Sequence, residues 1–246
     1  PSETSAVTDS NGAYSFSIKP GTYDVYEIAP SGETGWIQSQ PGTPSGGYID
    51  ETFLSGASYT NIFGNYKNAT KSGVKYNDLN ANGSRDPNEP GLAGWTIFAD
   101  ANNNGTLDPS ETSAVTDSNG AYSFSIRPGT YDVYEIAPAG ETGWIQSQPG
   151  TPSGGYLAET FVSGSSYTNI FGNYKNATKS GVKYNDLNAN GTRDTDEPGL
   201  AGWTIFADAD GDKLLDPTEA FAVTDSDGVY SFSIRPGTYD VYEIAP

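Results

Sequence analysis

The sequence predicts an all-β protein built as a tandem array of Greek-key β-sandwiches. Three observations carry that prediction. The string TDSNGAYSFSI stands at 8–18 and again at 116–126, and a variant, TDSDGVYSFSI, follows at 224–234, so the chain repeats every 108 residues. A period of that length is a domain, not a solenoid turn. No stretch sustains a helical period, whereas short alternating runs bounded by Gly, Pro, Asn and Asp recur throughout. Aromatic residues make up 13% of the 246, including 17 tyrosines, a composition that disordered chains lack.

Segments 1–70 and 109–178 differ at six positions, and segments 71–138 and 179–246 at thirteen. The linker is read as Tyr66–Ser72 and its copy Tyr174–Ser180. The chain is thus the back part of one repeat (1–70), one complete repeat (71–178) and the front part of a third (179–246). It reads as a window on a longer array, or as pieces completed by neighbouring chains, because a fragment without its first strands exposes a sheet edge and an open core.

In the complete repeat, strands are expected at Gly73–Tyr76, Gly94–Ala99, Ser113–Thr116, Ala121–Ile126, Thr130–Ile136, Tyr156–Val162 and Thr168–Tyr174, with Trp144–Gln148 an accessory segment. About seven strands in about 100 residues suit a Greek-key sandwich. Tyr122, Phe124 and Ile126 alternate with serines, which gives one buried face and one wet face. Tyr131, Val133 and Glu135 share a face, and Asp117-Ser-Asn-Gly120 is a hairpin turn. In the first strand Val74 and Tyr76 are expected to face inward, which puts Lys75 out of phase. An odd number of alternating strands places the termini of a repeat at opposite ends. The loop after the first strand then lies at the C-terminal end and the loop after the second at the N-terminal end.

The charge is strongly acidic: 31 Asp and Glu against 12 Lys and Arg, a net charge of −19, with no Cys, His or Met. That excludes thiolate zinc sites, disulfides, Ser-His-Asp triads and haem ligation. An acidic surface disfavours nucleic acid, and no run of about 18 apolar residues is present to span a membrane.

The acidity is patterned. Asp78, Asn80, Asn82, Gly83, Ser84, Asp86 and Glu89 place oxygen donors at positions 1, 3, 5, 9 and 12 of a twelve-residue loop, with Gly at position 6 and a backbone carbonyl at position 7. Ca²⁺ takes six to eight oxygens, and alternate short side chains on a curling backbone, closed by a two-oxygen Glu, supply them. The pattern returns at Asp100, Asn102, Asn104, Thr106, Asp108 and Glu111, and at Asp186, Asn188, Asn190, Thr192, Asp194 and Glu197. A fourth copy, Asp208, Asp210, Asp212, Leu214, Asp216 and Glu219, carries Lys213 at position 6 and two more carboxylates, so its turn is expected to be strained or reshaped. Glu3 matches Glu111 as the last residue of a further loop. Ordinary Asx turns are the alternative, but they do not require Glu at position 12. Asp117 is read either as an aid to the first ion or as a plain turn residue. The flanks read as strands, so these are not helix–loop–helix hands.

The phrases Gly73-Val-Lys-Tyr-Asn-Asp-Leu-Asn-Ala-Asn-Gly83, Glu89-Pro-Gly-Leu-Ala-Gly94, Thr116-Asp-Ser-Asn-Gly120, Pro128-Gly-Thr-Tyr-Asp-Val-Tyr-Glu135 and Phe171-Gly-Asn173 resemble the serine-aspartate-repeat B-type (SdrD B-like) domain, a family related to the B-type domains of collagen-binding adhesins. The resemblance covers the whole 108-residue unit. It implies an Ig-like or prealbumin-like sandwich loaded with calcium, used as a stalk or spacer in secreted and cell-surface proteins, and not an enzyme. Some relatives carry a Lys–Asn isopeptide bond promoted by a buried acid. Glu135 sits in the matching motif, with Lys75 on the first strand and Asn169 and Asn173 on the last; the alternative is that Glu135 pairs with a lysine or accepts backbone hydrogen bonds. The expected role is a structural, calcium-stiffened extracellular stalk or filament whose partners are calcium ions and neighbouring repeats or identical chains. The alternative is an adhesive module that binds a protein or glycan through Gly143–Tyr156 and the 163–170 loop, a reading that loses its best residues if Trp144 and Tyr156 are buried. Glycosylation sequons stand in the linkers at Asn68 and Asn176, and others fall inside the acidic loops at Asn82, Asn104 and Asn190.

Overall fold

The structure, a computed structural model, describes residues 3–42, 46–150 and 154–246. The described residues are strands and loops without a helix. The chain divides into two compact units, one of 1–70 with 125–129 and 160–167, the other of 71–124, 130–159 and 168–246.

In the first unit β1 (Gly21–Tyr26) pairs antiparallel with β3 (Gly47–Phe53), and β2 (Trp36–Gln40) with β4 (Gly64–Lys67). Its apolar groups are poorly covered, with Val7 and Ile28 more than 90% exposed.

Among the described residues the middle repeat has eight strands: β5 (Ala69–Asn77), β6 (Thr96–Asp100), β7 (Thr112–Val115), β8 (Ala121–Ile126), β9 (Gly129–Ile136), β10 (Trp144–Gln148), β11 (Gly155–Phe161) and β12 (Ser166–Lys175). They form two four-stranded sheets, ordered β10-β12-β5-β8 and β11-β9-β6-β7. Tyr122, Phe124 and Ile126 turn inward from β8, and Val133 from β9, as their alternation requires.

Trp144–Gln148, expected as an accessory segment beside seven principal strands, is a strand of its own, yet the termini of the repeat still lie at opposite ends. Neighbouring β5 and β12 run parallel, with Ser72 beside Thr168 and the Asp78 amide donating to the Asn173 carbonyl at 2.8 Å. The extra strand does not reverse the path because β10 and β11 run the same way. β10 is antiparallel to β12, Trp144 opposite Lys175. β11 is antiparallel to β9, with Gly155 against Tyr134 and Ala158 donating to Asp132. The two act as one descending strand that changes sheet midway.

The phase of β5 corrects the sequence reading. Lys71 and Lys75 are both fully buried, and they, not Val74, line the interior. Tyr76 is also fully buried, but it lies across Gly172, where an added Cβ would sit 2.5 Å from its ring. A central strand covered on both sides does not show simple alternation.

The third repeat contributes β13 (Ala177–Val182), β14 (Thr204–Asp208), β15 (Ala220–Val223), β16 (Val229–Ile234) and β17 (Asp240–Ile244). β13 pairs with β16, and β14 lies between β15 and β17. Ile205, Ala207 and Phe232 form a small core.

Candidate metal centres

Three of the acidic loops, those beginning at Asp78, Asp100 and Asp208, grow from the last residue of a strand or the residue just after it, and the loop at Asp186 begins two residues after the Tyr184–Gly199 bridge. Asp78, fully buried, follows β5; its Oδ1 accepts the Asn82 amide and its Oδ2 the Gly83 amide at 2.7 Å. Asn80 and Asn82 turn their side-chain Nδ2 groups onto one atom, Asp86 Oδ2, at 2.8 and 3.1 Å. Glu89, also buried, closes the loop by accepting the Leu79 and Asp86 amides. Positions 1, 3, 5, 9 and 12 therefore converge.

The layout repeats. Asn102 and Asn104 donate to Asp108 at 2.7 and 2.9 Å, and Glu111 accepts the Ala101 and Asp108 amides. Asn188 and Asn190 donate to Asp194, and Glu197 closes that loop. Burial pushes the Asp100 carboxyl up, but backbone N–H groups of Gly105, Asn104, Asn103 and Asn102 outweigh it and hold the group below its usual range. Thr106 Oγ1 donates to Asn104, while Ser84, Thr192 and Leu214 stand at the same seventh position, where the backbone carbonyl is the donor toward an ion.

The fourth loop differs. Asp208, Asp210 and Asp212 bring carboxylate oxygens within 4.8 Å of one another. Asp210 and Asp212 lack the side-chain N–H groups that the asparagines of the other loops donate to the ninth-position carboxylate. Burial, and then the charges of Asp212, Asp210, Glu219 and Asp208, raise the Asp216 carboxyl. Glu219 still accepts the Ala209 and Asp216 amides.

This donor set fits calcium. It consists of oxygen groups only, and the asparagine amides that face Asp86, Asp108 and Asp194 present oxygen instead of nitrogen after a half-turn of the amide. Asp117 Oδ1 accepts the Asn119 and Ala121 amides of its own hairpin.

The loops lie where strand direction puts them. Loop 78–89 is at the end where β12 leaves the middle repeat. Loop 100–111 follows β6, whose last residue pairs with Asp132 near the start of β9, at the opposite end. In the third repeat β13 starts opposite Ile234, and loop 208–219 follows β14 at that same end.

The interior of the middle repeat holds two Lys–Glu–Asn clusters. Lys75 Nζ lies 2.9 Å from Glu135 Oε2 and 4.2 Å from the Trp95 ring centre, and the Asn173 amide also reaches Glu135. Lys75 Nζ, Glu135 Oε2 and Asn173 Oδ1 nonetheless lack an aligned hydrogen-bond partner. Burial lowers the Lys75 ammonium to about 8, against the pull of Glu135, and raises the Glu135 carboxyl. Four residues back along β5 and β12, Lys71 Nζ meets both oxygens of Glu159, from β11, at 2.8 and 2.6 Å, and Asn169 donates to Glu159 at 3.2 Å. Sequence reasoning selected Glu135 and the two asparagines. It missed Glu159 and misphased Lys75; the available signal was that Lys71 and Lys75, four apart, share one strand face.

Trp144 and Tyr156 are half-buried. Trp144 packs edge-on against Trp95, lies under Lys175 and donates to Glu141, and Tyr156 donates to the Ile170 carbonyl. Part of the Gly143–Tyr156 surface, 151–153, lies outside the described residues.

The SdrD B-like domain family matches residues 73–154 and 181–246. Among curated proteins the chain is similar to the serine-aspartate repeat-containing protein D of Staphylococcus aureus strains Newman and USA300. It is 31% identical to each over 255 residues, which cover 95% of this chain and 18% and 17% of those proteins. The chain thus spans less than a fifth of the relatives it matches. Among solved structures it is similar to the Bacillus anthracis TIE protein (TM-score 0.35, 14% identity, 76% of this chain and 30% of that one). It is also similar to a streptococcal ancillary pilin (TM-score 0.32, 15% identity, 93% and 67%).

Proposed function

The chain belongs to the SdrD B-like domain family, and from that premise we propose that it is a calcium-stiffened segment of an extracellular stalk or filament made of tandem β-sandwiches. Membership makes it a structural, surface-located segment and not an enzyme. The observation that supports the calcium reading is the common hydrogen-bond layout of the loops, each begun by an Asp and closed by a Glu at position 12. An ion that binds only the folded loop adds its binding free energy to folding. Extracellular sites of this kind have dissociation constants of roughly 10⁻⁴–10⁻³ M. Calorimetric titration of the 246-residue chain tests the reading: saturable heat in that range supports it, and no heat at millimolar calcium sinks it. The adhesive alternative is weakened, because Trp144 and Tyr156 are engaged within the repeat.

A second reading concerns stiffening from within. Lys75, Glu135 and Asn173 stand in the arrangement that amide formation needs: a buried amine lowered toward neutrality, a carboxyl raised toward neutrality, and a carboxamide against that carboxyl. Attack of Nζ on the Asn173 side-chain carbon expels ammonia, with Glu135 moving the proton. The intact mass would fall by about 17 Da, the mass of ammonia, and Asn173→Ala would abolish the loss. An unshifted mass would leave an ion pair only.

A further inference from the structure

Arg235 follows β16 in the third repeat, yet its side chain ends on the middle repeat. Its Nη2 donates to the Ala81 carbonyl at 2.5 Å, and its guanidinium lies 5.3 Å from the Tyr174 ring centre. Tyr174, 8% exposed, is held in β12 opposite Ile145. Ala81 is 3% exposed and stands in the left-handed region at φ 57°, between the candidate ligands Asn80 and Asn82. The third repeat therefore touches the loop itself, at a carbonyl whose direction depends on how that loop is folded.

The contact is not peculiar to one copy. In the other compact unit the guanidinium of Arg127, the residue that matches Arg235, lies 5.4 Å from the ring centre of Tyr66, which matches Tyr174. The remaining copy of the position holds Lys19, also basic. A planar cation over a tyrosine face is attractive, and its N–H fork directs a hydrogen bond that lysine cannot reproduce in the same plane.

We infer that the Ala81 carbonyl and the Tyr174 ring form a socket for an arginine of the following repeat, and that this socket makes the joint between repeats respond to the ion in loop 78–89. Asn80 and Asn82 must reorient their amides to face a cation, and Ala81 is covalently fixed between them. An ordered loop holds the carbonyl toward Arg235. A loop opened by repulsion among Asp78, Asp86 and Glu89 releases it. The inference rests on the calcium reading of that loop and adds which residue carries the ion's effect to the next repeat.

The absence of cysteine allows a clean test. Spin labels at Ser123→Cys and Ser231→Cys, both exposed strand positions in consecutive repeats, report the width of the distance distribution across the joint. The labelled full chain is measured with calcium and with chelator, with Arg235 intact and as Arg235→Ala, and its calcium-binding heat is recorded. The expected result is that calcium narrows the distribution when Arg235 is present and not in Arg235→Ala. Equal narrowing in both chains overturns the inference, as does binding heat with no narrowing in either. Absence of heat would instead remove the calcium reading, and this inference with it.

Discussion

Lys75 in the middle repeat and Lys183 in the third stand at the same place, each over a tryptophan and 2.9 Å from a glutamate. Their surroundings differ. The side chains of Lys75 and Glu135 are 0% and 7% exposed, whereas those of Lys183 and Glu243 are 23% and 49% exposed. What separates them is β12, which closes the sheet over Lys75 and brings Asn173; no described strand does this for Lys183. The difference shows that the ion pair is local but its desolvation is a property of the completed sandwich.

The sharpest way to break that comparison is to remove the acid from each pair. Glu135→Ala leaves a buried lysine without its partner and should cost the middle repeat about 3–5 kcal/mol. Glu243→Ala removes a half-exposed partner and should cost at most about 1 kcal/mol. Hydrogen exchange of the β5 and β13 amides reads the two repeats separately. Equal losses would mean that closure by β12 does not set the energetics.

The same burial predicts a pH signature, read in the Asn173→Ala chain, where no amide can form. Lys75 holds its proton to about 8 in the folded state but to its ordinary 10.5 when unfolded. Between those values the unfolded chain binds the extra proton, so stability should rise with pH from 8 toward 10, by on the order of 2 kcal/mol. Glu135 acts at lower pH with the opposite slope: its raised carboxyl favours the folded state in acid, and that contribution is lost as pH rises through the folded value. Denaturation midpoints across pH 7.5–10 should climb, and Lys75→Met should flatten them. A flat profile before that substitution would show that Lys75 keeps its proton.

What the sequence could and could not reveal follows the same line. Segments 8–18 and 116–126 are identical, yet Ala121–Ile126 is a strand and 13–18 is not. The alternation of Tyr, Phe and Ile with Ser states which face would be buried; only a partner strand such as β5 decides whether a strand forms. The hydrogen-bonded layout of the acidic loops was legible residue by residue because their spacing is local. The interior lysines were not, since a buried Lys is read from alternation as an outward residue until the acid across the sandwich, Glu135 or Glu159, is known to meet it. The Arg235 contact was invisible for the same reason, since it joins residues 154 positions apart.

The second loops of the two repeats carry the comparison to the acidic loops. In loop 100–111 two amides donate to Asp108, so hydrogen bonds offset part of the carboxylate repulsion when no ion is bound. In loop 208–219 Asp210 and Asp212 replace those donors and repel Asp216. Chelator should therefore open 208–219 before 100–111, seen as earlier protease cuts there. Asp210→Asn with Asp212→Asn should steady loop 208–219 in chelator by relieving that repulsion. The same change should weaken calcium binding, because ligand charge tunes affinity. Simultaneous opening of the two loops would show that the amide bonds to Asp108 contribute little.

The smallest effect concerns Lys213. Each loop needs the left-handed region twice, at positions 4 and 6. Three loops put Ala81, Asn103 and Ala189 at position 4, at φ 57–58°, and glycine at position 6, at φ 72–77°. The fourth reverses this, with Gly211 at φ 84° and Lys213 at φ 67°. The turn is thus not reshaped: one glycine per loop is kept, moved two residues back. A side chain in this region costs roughly 1–2 kcal/mol, less for asparagine, which tolerates it through local hydrogen bonds. Lys213→Gly should therefore stabilise loop 208–219 by about 1 kcal/mol. The gain is measured in calcium, where the lost lysine charge matters least. Adding Gly211→Asn restores the pattern of the other loops and should return most of that gain. If Lys213→Gly instead weakens the loop, the lysine's charge among Asp208, Asp210 and Asp212 outweighs its backbone strain, and the two repeats differ by electrostatics alone.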